Sequence, residues 1–381
     1  MKRRTAIGAV VLSVLAGIGI VGCQQSEISE SLVTIDVKAD YPEKELTLQD
    51  FMEVEYIPLE TNDEFITQGS VKAIGRDYLV VTNRINDGNI YMFDRKTGKG
   101  VRKINRMGQG AEEYAFINGI VLDEDNGEMF VNSASMKKIF VYDLQGNFKR
   151  SFNHAEGAEY LEVYDYDKDN LICYDMSLYY KDGEKRENKF YHALISKQDG
   201  SVIRGIPIPF DIVKAPFVQK GDMVAVSAYR ENWLLVETSS DTVYRYTSAK
   251  GKLTPFLVKK STTEPDVMLS MGVVTDRYYF MQAIEKVFNF EKGRGFPSSD
   301  LMYDKQEAAV FKPVVFNADN DKRVELVMHP EGGEIASFQS LSADQLVEGY
   351  QNNELKGRLK EIAGRLNEES NPVIMLVKHK K

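Results

Sequence analysis

A strand-turn-strand phrase returns about every 50 residues along this chain, and a repeat of that period restricts the fold to an array of like units. The clearest copies are Ile90-Tyr91-Met92-Phe93-Asp94 before Arg95-Lys96-Thr97-Gly98-Lys99, and Ile139-Phe140-Val141-Tyr142-Asp143 before Leu144-Gln145-Gly146-Asn147-Phe148. Fainter copies lie at Phe190 to Ile195 before Lys197-Gln198-Asp199-Gly200, at Thr242 to Tyr246 before Ala249-Lys250-Gly251-Lys252, and at Leu301 to Asp304. The second copy resolves into four short strands: Ile117 to Val121, Met129 to Asn132, Lys138 to Asp143 and Asn147 to Phe152. Asp125-Asn126-Gly127 between the first two suits a hairpin, because such turns require positive φ. The β-branched and aromatic content excludes helical solenoids.

A repeated four-stranded antiparallel unit of this length predicts an all-β fold, the β-propeller. Five copies are visible, and the chain ends supply a sixth: Val54 to Leu59 and Val373 to Val377 would pair, joined by strands around Val324 to Met328 and Ile335 to Phe338. Six blades is therefore the expected count, ahead of seven. From Ser342 to Leu366 the pattern changes to helical spacing, with Leu346, Val347, Tyr350, Leu355, Leu359, Ile362 and Leu366 on one face. Ser342 and Gln345 form an expected capping box. This insertion reads as packing against the propeller side; Lys356, Arg358, Lys360 and Arg365 leave a partner-docking helix as the other reading.

The first 22 residues stand outside the repeat. Lys2, Arg3 and Arg4 precede an apolar stretch from Ala6 to Val21, and Ile20-Val21-Gly22-Cys23 has the form of a lipoprotein cleavage site. The apolar run is short of the roughly 20 residues a membrane span needs. Residues 1–22 are thus expected to be a signal peptide, Cys23 to carry the lipid that binds the bilayer, 23–50 to be a tether, and 51–381 the propeller. Gln24-Gln25-Ser26-Glu27 shows no acidic sorting run, so the address is the cell envelope with either face open. Losing the signal removes three basic residues and no acidic one, moving the formal charge from −9 to −12. That balance argues against nucleic acid as a partner. Cys173, the second of two cysteines, sits in the apolar run Leu171-Ile172-Cys173-Tyr174 and is expected to be a buried thiol.

Val54-Glu55-Tyr56-Ile57-Pro58-Leu59-Glu60-Thr61, Gly108-Gln109-Gly110-Ala111-Glu112-Glu113-Tyr114 and Asn371-Pro372-Val373 together resemble the six-bladed β-propeller lipoproteins of Bacteroidetes. They match that family's opening strand, its Gly-x-Gly-Pro-x-Glu-Tyr loop with Ala111 in place of Pro, and its closing strand. The resemblance implies fold and location; most members have no established activity.

The Gly108 to Tyr114 loop is not a phosphate cradle, since a strand rather than a helix follows it. It reads either as a tight crossover between blades, pinned by Glu113 and Tyr114, or as part of a rim shared with Arg84-Ile85-Asn86-Asp87-Gly88. On the second reading Arg84, Asn86, Arg106, Gln109 and Glu112 are the candidate ligand-binding residues. Asp165-Tyr166-Asp167-Lys168-Asp169 alternates carboxylates as a calcium loop does, but Asn170 and Met176 stand where an EF-hand has Gly and Glu, so a polar turn is expected. Asp123-Glu124-Asp125-Asn126-Gly127 reads the same way. His154, His192, His329 and His379 are far apart, and no nucleophile elbow or zinc helix is present. No metal, cofactor or catalytic residue is assigned. The expected function is a monomeric, non-catalytic binding module for a glycan, peptide or envelope protein; the alternative is a propeller hydrolase or lyase acting on glycans or lactones at the central funnel.

Overall fold

The structure is a computed structural model, and it describes residues 32–177, 190–209, 226–229, 232–247, 251–262, 265–287, 296–320, 322–323 and 334–380. The signal segment, Cys23 and the expected strand around Val324 to Met328 lie outside the described residues.

Six antiparallel sheets follow one another along the chain. Blade 1 is Ser70–Ile74, Tyr78–Thr82, Asn89–Asp94 and Gly100–Asn105. Blade 2 is Gly119–Asp123, Glu128–Ser133, Lys138–Asp143 and Phe148–Asn153. Blade 3 is Tyr160–Asp165, Asn170–Asp175, His192–Ser196 and Val202–Ile206. Blade 4 is Val226–Tyr229, Asn232–Leu235, Thr242–Thr247 and Lys252–Lys259. Blade 5 is Val267–Val274, Tyr278–Glu285, Ser298–Asp304 and Ala309–Phe316. Blade 6 joins Ile335–Leu341 and Val373–His379 to Met52–Pro58 from the other end of the chain. The first strands of blades 1, 2 and 3 touch in succession, so these strands are the inner ones.

The middle strands are apolar at nearly every position, as Leu79-Val80-Val81 and Ile90-Tyr91-Met92-Phe93 show, because both faces of a blade are buried. Alternation survives as a choice of neighbour. Val80, Met92 and Ile104 pack with Ile120, Met129 and Phe140 of blade 2, while Leu79, Val81, Tyr91 and Phe93 pack with Ile374 and Leu376 of blade 6. The six hydrophobic clusters correspond to the six blade junctions.

Closure rests on Met52–Pro58 paired antiparallel with Val373–His379, in register from Val373 opposite Pro58 to His379 opposite Met52. Asn371 locks the joint. Its side-chain N–H groups donate to the carbonyls of Glu60 (2.6 Å) and Phe65 (2.7 Å), its Oδ1 accepts from the Thr67 N–H (2.8 Å), and its own N–H donates to Thr61 Oγ1 (2.7 Å).

Three expectations change. The stretch from Val33 to Asp50 is not free tether: Val33–Ile35 pairs parallel to the outer strand of blade 4, and Glu43–Thr47 parallel to that of blade 5. A short helix, α1 (Leu48–Phe51), then leads into blade 6. The C-terminal insertion is two helices, α2 (Ala343–Gln351) and α3 (Gly357–Ala363), instead of one. Asn352 and Asn353 are poor helix formers, and Asn353 takes the left-handed conformation (φ 59°) that ends α2. Ser342 occupies the N-cap position without a side-chain cap bond, so the capping box does not form. Leu346, Leu355, Leu359 and Ile362 pack with Leu48, Met52 and Met302 at the junction of blades 5 and 6. On the outer surface Arg358 pairs with Glu361 and Lys360 donates to Asn353, both within the insertion.

Candidate functional site

Three loops meet where blade 1 adjoins blade 2. They are the turn between the second and third strands of blade 1, the crossover from blade 1 to blade 2, and the 3-10 turn Ala134–Met136 within blade 2. Asn86 Nδ2 donates to the Ala115 carbonyl (3.0 Å), and the Ala115 N–H points at Met136 Sδ (3.2 Å). Asn105 Nδ2 donates to the Asp87 carbonyl (3.0 Å).

Asp87 organises the first loop. It accepts from Asn83 Nδ2 (2.6 Å), Asn89 Nδ2 (2.8 Å) and the Asn89 N–H (3.0 Å). Burial alone would raise this carboxyl; the donors from Asn89 and Asn83 outweigh it and hold the pKa below the usual value.

Tyr114 organises the crossover. Its ring is fully buried, its hydroxyl donates to the Gly88 carbonyl (2.8 Å) and accepts from the Arg106 N–H (3.1 Å), and burial pushes its pKa up to about 12. Tyr142 of blade 2 meets that ring edge-on at 6.1 Å and donates its hydroxyl to the Glu112 carbonyl (2.7 Å). Glu113 accepts from the Gly110 N–H (2.8 Å), and its carboxylate lies over Gly108, so a side chain there would displace it. The Gly108 to Tyr114 segment is therefore a crossover clasp, and its glycines answer steric closeness to Glu113 rather than positive φ.

The five candidate residues separate on this frame. Asn86 joins the two loops through Ala115. Arg106 turns away, its Nε donating to the Gly146 carbonyl in the outer hairpin of blade 2 (3.0 Å), which makes it a strut between blades. Arg84, Gln109 and Glu112 are exposed; Arg84 uses its backbone N–H on Gln68 (2.8 Å), and Glu112 its carbonyl on Tyr142. What the loops gather is apolar: Ile85, Met107, Phe116 and Met136 all stand exposed there, Ile85 at 66%, with Ile66 on the loop that enters blade 1. A single exposed apolar residue carries no signal in a sequence. Their convergence from separate loops is visible only in three dimensions.

The carboxylate runs weighed as metal loops are occupied from within. Lys197 places its ammonium between Asp123 (2.5 Å) and Asp165 (2.7 Å), tying blade 3 to blade 2. Burial raises the Asp165 carboxyl, with Lys197 opposing. Asp167 accepts from Asp169 and Asn170 in a hairpin turn. No group of three or more His, Cys, Asp or Glu side chains among the described residues is placed to hold a metal ion. Cys173 is fully buried and its thiol is pushed well above its usual pKa by desolvation. No helix among the described residues is long and apolar enough to cross a membrane.

Six radially repeated, mostly four-stranded sheets closed by a strand from the opposite terminus define the class, a six-bladed β-propeller. The chain belongs to the DUF5128 family, described as a 6-bladed beta-propeller, whose profile matches residues 23–330. Among solved structures it is similar to a Bacteroides fragilis protein described as exported, at 14% identity and a TM-score of 0.63 over 92% of this chain and 100% of that one. It is also similar to a member of the DUF4221 family from Bacteroides vulgatus, at 13% identity and a TM-score of 0.49 over 87% and 99%. At 14% identity the likeness to the Bacteroides fragilis protein concerns fold alone. No curated protein matches the chain.

Proposed function

We propose that this protein is an exported propeller, held in the cell envelope by a lipid on Cys23, that acts as a non-catalytic binding module through the rim of blades 1 and 2. The observation that carries this is the cluster of exposed Ile85, Phe116 and Met136 on loops fixed by side-chain hydrogen bonds. Exposed apolar side chains gathered on one face mark interaction surfaces. Fixing them beforehand lowers the ordering cost of binding. An apolar segment of an envelope protein or peptide suits such a surface better than a glycan. The basic start and Gly22-Cys23 site support export with acylation, and the similar Bacteroides fragilis protein described as exported supports export alone.

The test is a photo-crosslinking amino acid at Phe116 in the full-length lipoprotein, illuminated in its own envelope. A discrete adduct is expected, lost when Ile85 and Met136 become Ser. Cys23→Ser should move the protein out of the membrane fraction. No adduct at 116, or an adduct indifferent to the serine changes, removes the rim from the proposal; unchanged membrane retention of the Cys23 variant removes the anchor.

A further inference from the structure

An outermost strand presents unpaired N–H and C=O groups, and folded proteins cover such an edge or mark it with charge. This chain does one or the other at five blades. The outer strands of blades 4 and 5, rich in apolar residues such as Phe256, Leu257, Phe311 and Val315, are covered by Val33–Ile35 and Glu43–Thr47. The outer strands of blades 1 and 6 carry Arg102 with Lys103 and Glu53 with Glu55; in blade 2 Arg150 is bonded to Glu128 and to the Lys197 and Gln198 carbonyls, which leaves exposed Lys149 as the charge on that edge. Val101 of blade 1 is exposed too, but the two basic residues follow it directly.

Blade 3 departs from this. Among the described residues its outer strand Val202–Ile206 has no strand beyond it, and Val202 and Ile203 stand side by side at 49% and 56% exposure. Its one charge, Arg204, turns its guanidinium toward the Tyr246 hydroxyl of blade 4 (3.3 Å). Ile203 is the extra residue of a β-bulge, a device that can itself blunt an edge. Blade 4 shows that it does not do so in this fold. The same bulge falls at Phe256 there, and the covering strand pairs just beyond it, Val33 with Leu257 through Ile35 with Lys259. The matching residues of blade 3 are Arg204-Gly205-Ile206. Under its cover Phe256 is 5% exposed, where Ile203 is open.

We infer that the outer edge of blade 3 is a strand-docking site, taking an extended, β-branched segment of a partner polypeptide in parallel along Arg204–Ile206. Main-chain bonding supplies the affinity in this mode, and alternate side chains the choice of partner. The chain's own covering strands set the direction and chemistry: Val33 and Ile35 lie opposite Leu257 and Lys259 and pack on the apolar cluster between blades 4 and 5, and the flanking Asp36 is held by Lys260 (2.9 Å). The site is separate from the rim of blades 1 and 2, and neither depends on the other.

The probe is a labelled peptide with the sequence of Leu32 to Lys38, titrated against the full chain in detergent by fluorescence anisotropy and followed by amide exchange. Saturable binding with new protection confined to residues 202–206 is expected. Ile203→Lys, which gives blade 3 the charge that other bare edges carry, should weaken binding by about tenfold or more. Val202→Asp should do the same, and Val101→Lys in blade 1 should leave binding unchanged. Each change is on an exposed side chain, so unaltered thermal midpoints are expected alongside. Absent binding, binding indifferent to Ile203→Lys and Val202→Asp, or protection at residues 257–259 instead would overturn the inference. So would a concentration-dependent dimer abolished by Ile203→Lys, which assigns the edge to a second copy, or protection of 202–206 in the free monomer, which assigns it to the chain itself.

Discussion

His154 shows how little a residue's role is visible before its surroundings exist. In the sequence it is one of four scattered histidines; in the fold it follows the outer strand of blade 2, at the loop position Arg106 holds after blade 1. Its Nε2 lies 3.0 Å from Asn132 Oδ1 and its Nδ1 accepts from the Tyr160 N–H at 3.1 Å, so the ring is neutral with the proton on Nε2. Burial, with Lys137 nearby, pushes its pKa down to about 4. A second proton would set Nδ1–H against the Tyr160 N–H. In the unfolded chain a histidine titrates near 6.5, so the unfolded state binds more protons between pH 6.5 and 4. The stability this site contributes is therefore complete above pH 6.5 and falls as pH drops toward 4, by roughly 3 kcal/mol across the window. Urea midpoints at pH 7.5 and 5 should show the decline, and His154→Gln, which keeps a donor and an acceptor without titrating, should flatten it. An equal slope in the variant would place the acid sensitivity elsewhere.

At the scale of elements, the repeated phrase turns out to be a hairpin with a chemical signature. The third strand ends in Asp94, Asp143 or Asp304, whose carboxylates accept turn N–H groups from Thr97 (2.8 Å), Gln145 (2.9 Å) and Gln306 (2.9 Å). The turn then needs a residue at positive φ that also lies against the preceding blade. Gly146 (φ 85°) does both, since a Cβ there would stand 2.9 Å from Ile104. Blade 5 puts Ala308 at positive φ (49°) in the corresponding turn. A left-handed conformation costs an L-residue about 1–2 kcal/mol, so Ala308→Gly should stabilise by about 0.5–1 kcal/mol after the added freedom of the unfolded chain. Gly146→Ala should destabilise by about 2–3 kcal/mol. Denaturant midpoints measure both, and a loss of stability in Ala308→Gly would contradict the account. This level was legible beforehand because a hairpin is local: its acid, glycine and two strands lie within some twenty residues.

For the whole molecule, the N-terminal stretch is the part whose role reversed. Residues expected to be slack chain instead run along the outer edges of blades 4 and 5 before supplying the last strand of blade 6. Ile35 is fully buried, with Val33, Val37 and Tyr41 packed on the same cluster as Phe256 and Leu257. Deleting residues 24–41 should leave the ring closed, since Met52–Pro58 remains. It should cost about 3 kcal/mol of burial and open an apolar edge to self-association. A lowered melting temperature with larger species in sedimentation is the expected result; an unshifted monomer would mean the strap is ornamental to stability.

The division between sequence and structure follows from contact distance along the chain. Strand identity, blade count, hairpin turns and the partners that close the ring were determined by the sequence alone, because periodicity and turn chemistry act over a few residues and the two end strands had no other place to pair. The covering of blades 4 and 5, the break between α2 and α3, the strut made by Arg106, and the convergence of Ile85, Phe116 and Met136 were decided only by the tertiary structure. Val33 meets Leu257 and Asn371 meets Glu60 across more than two hundred residues. Such contacts exist only after the ring has closed, and no local pattern encodes which exposed side chains closure will bring side by side.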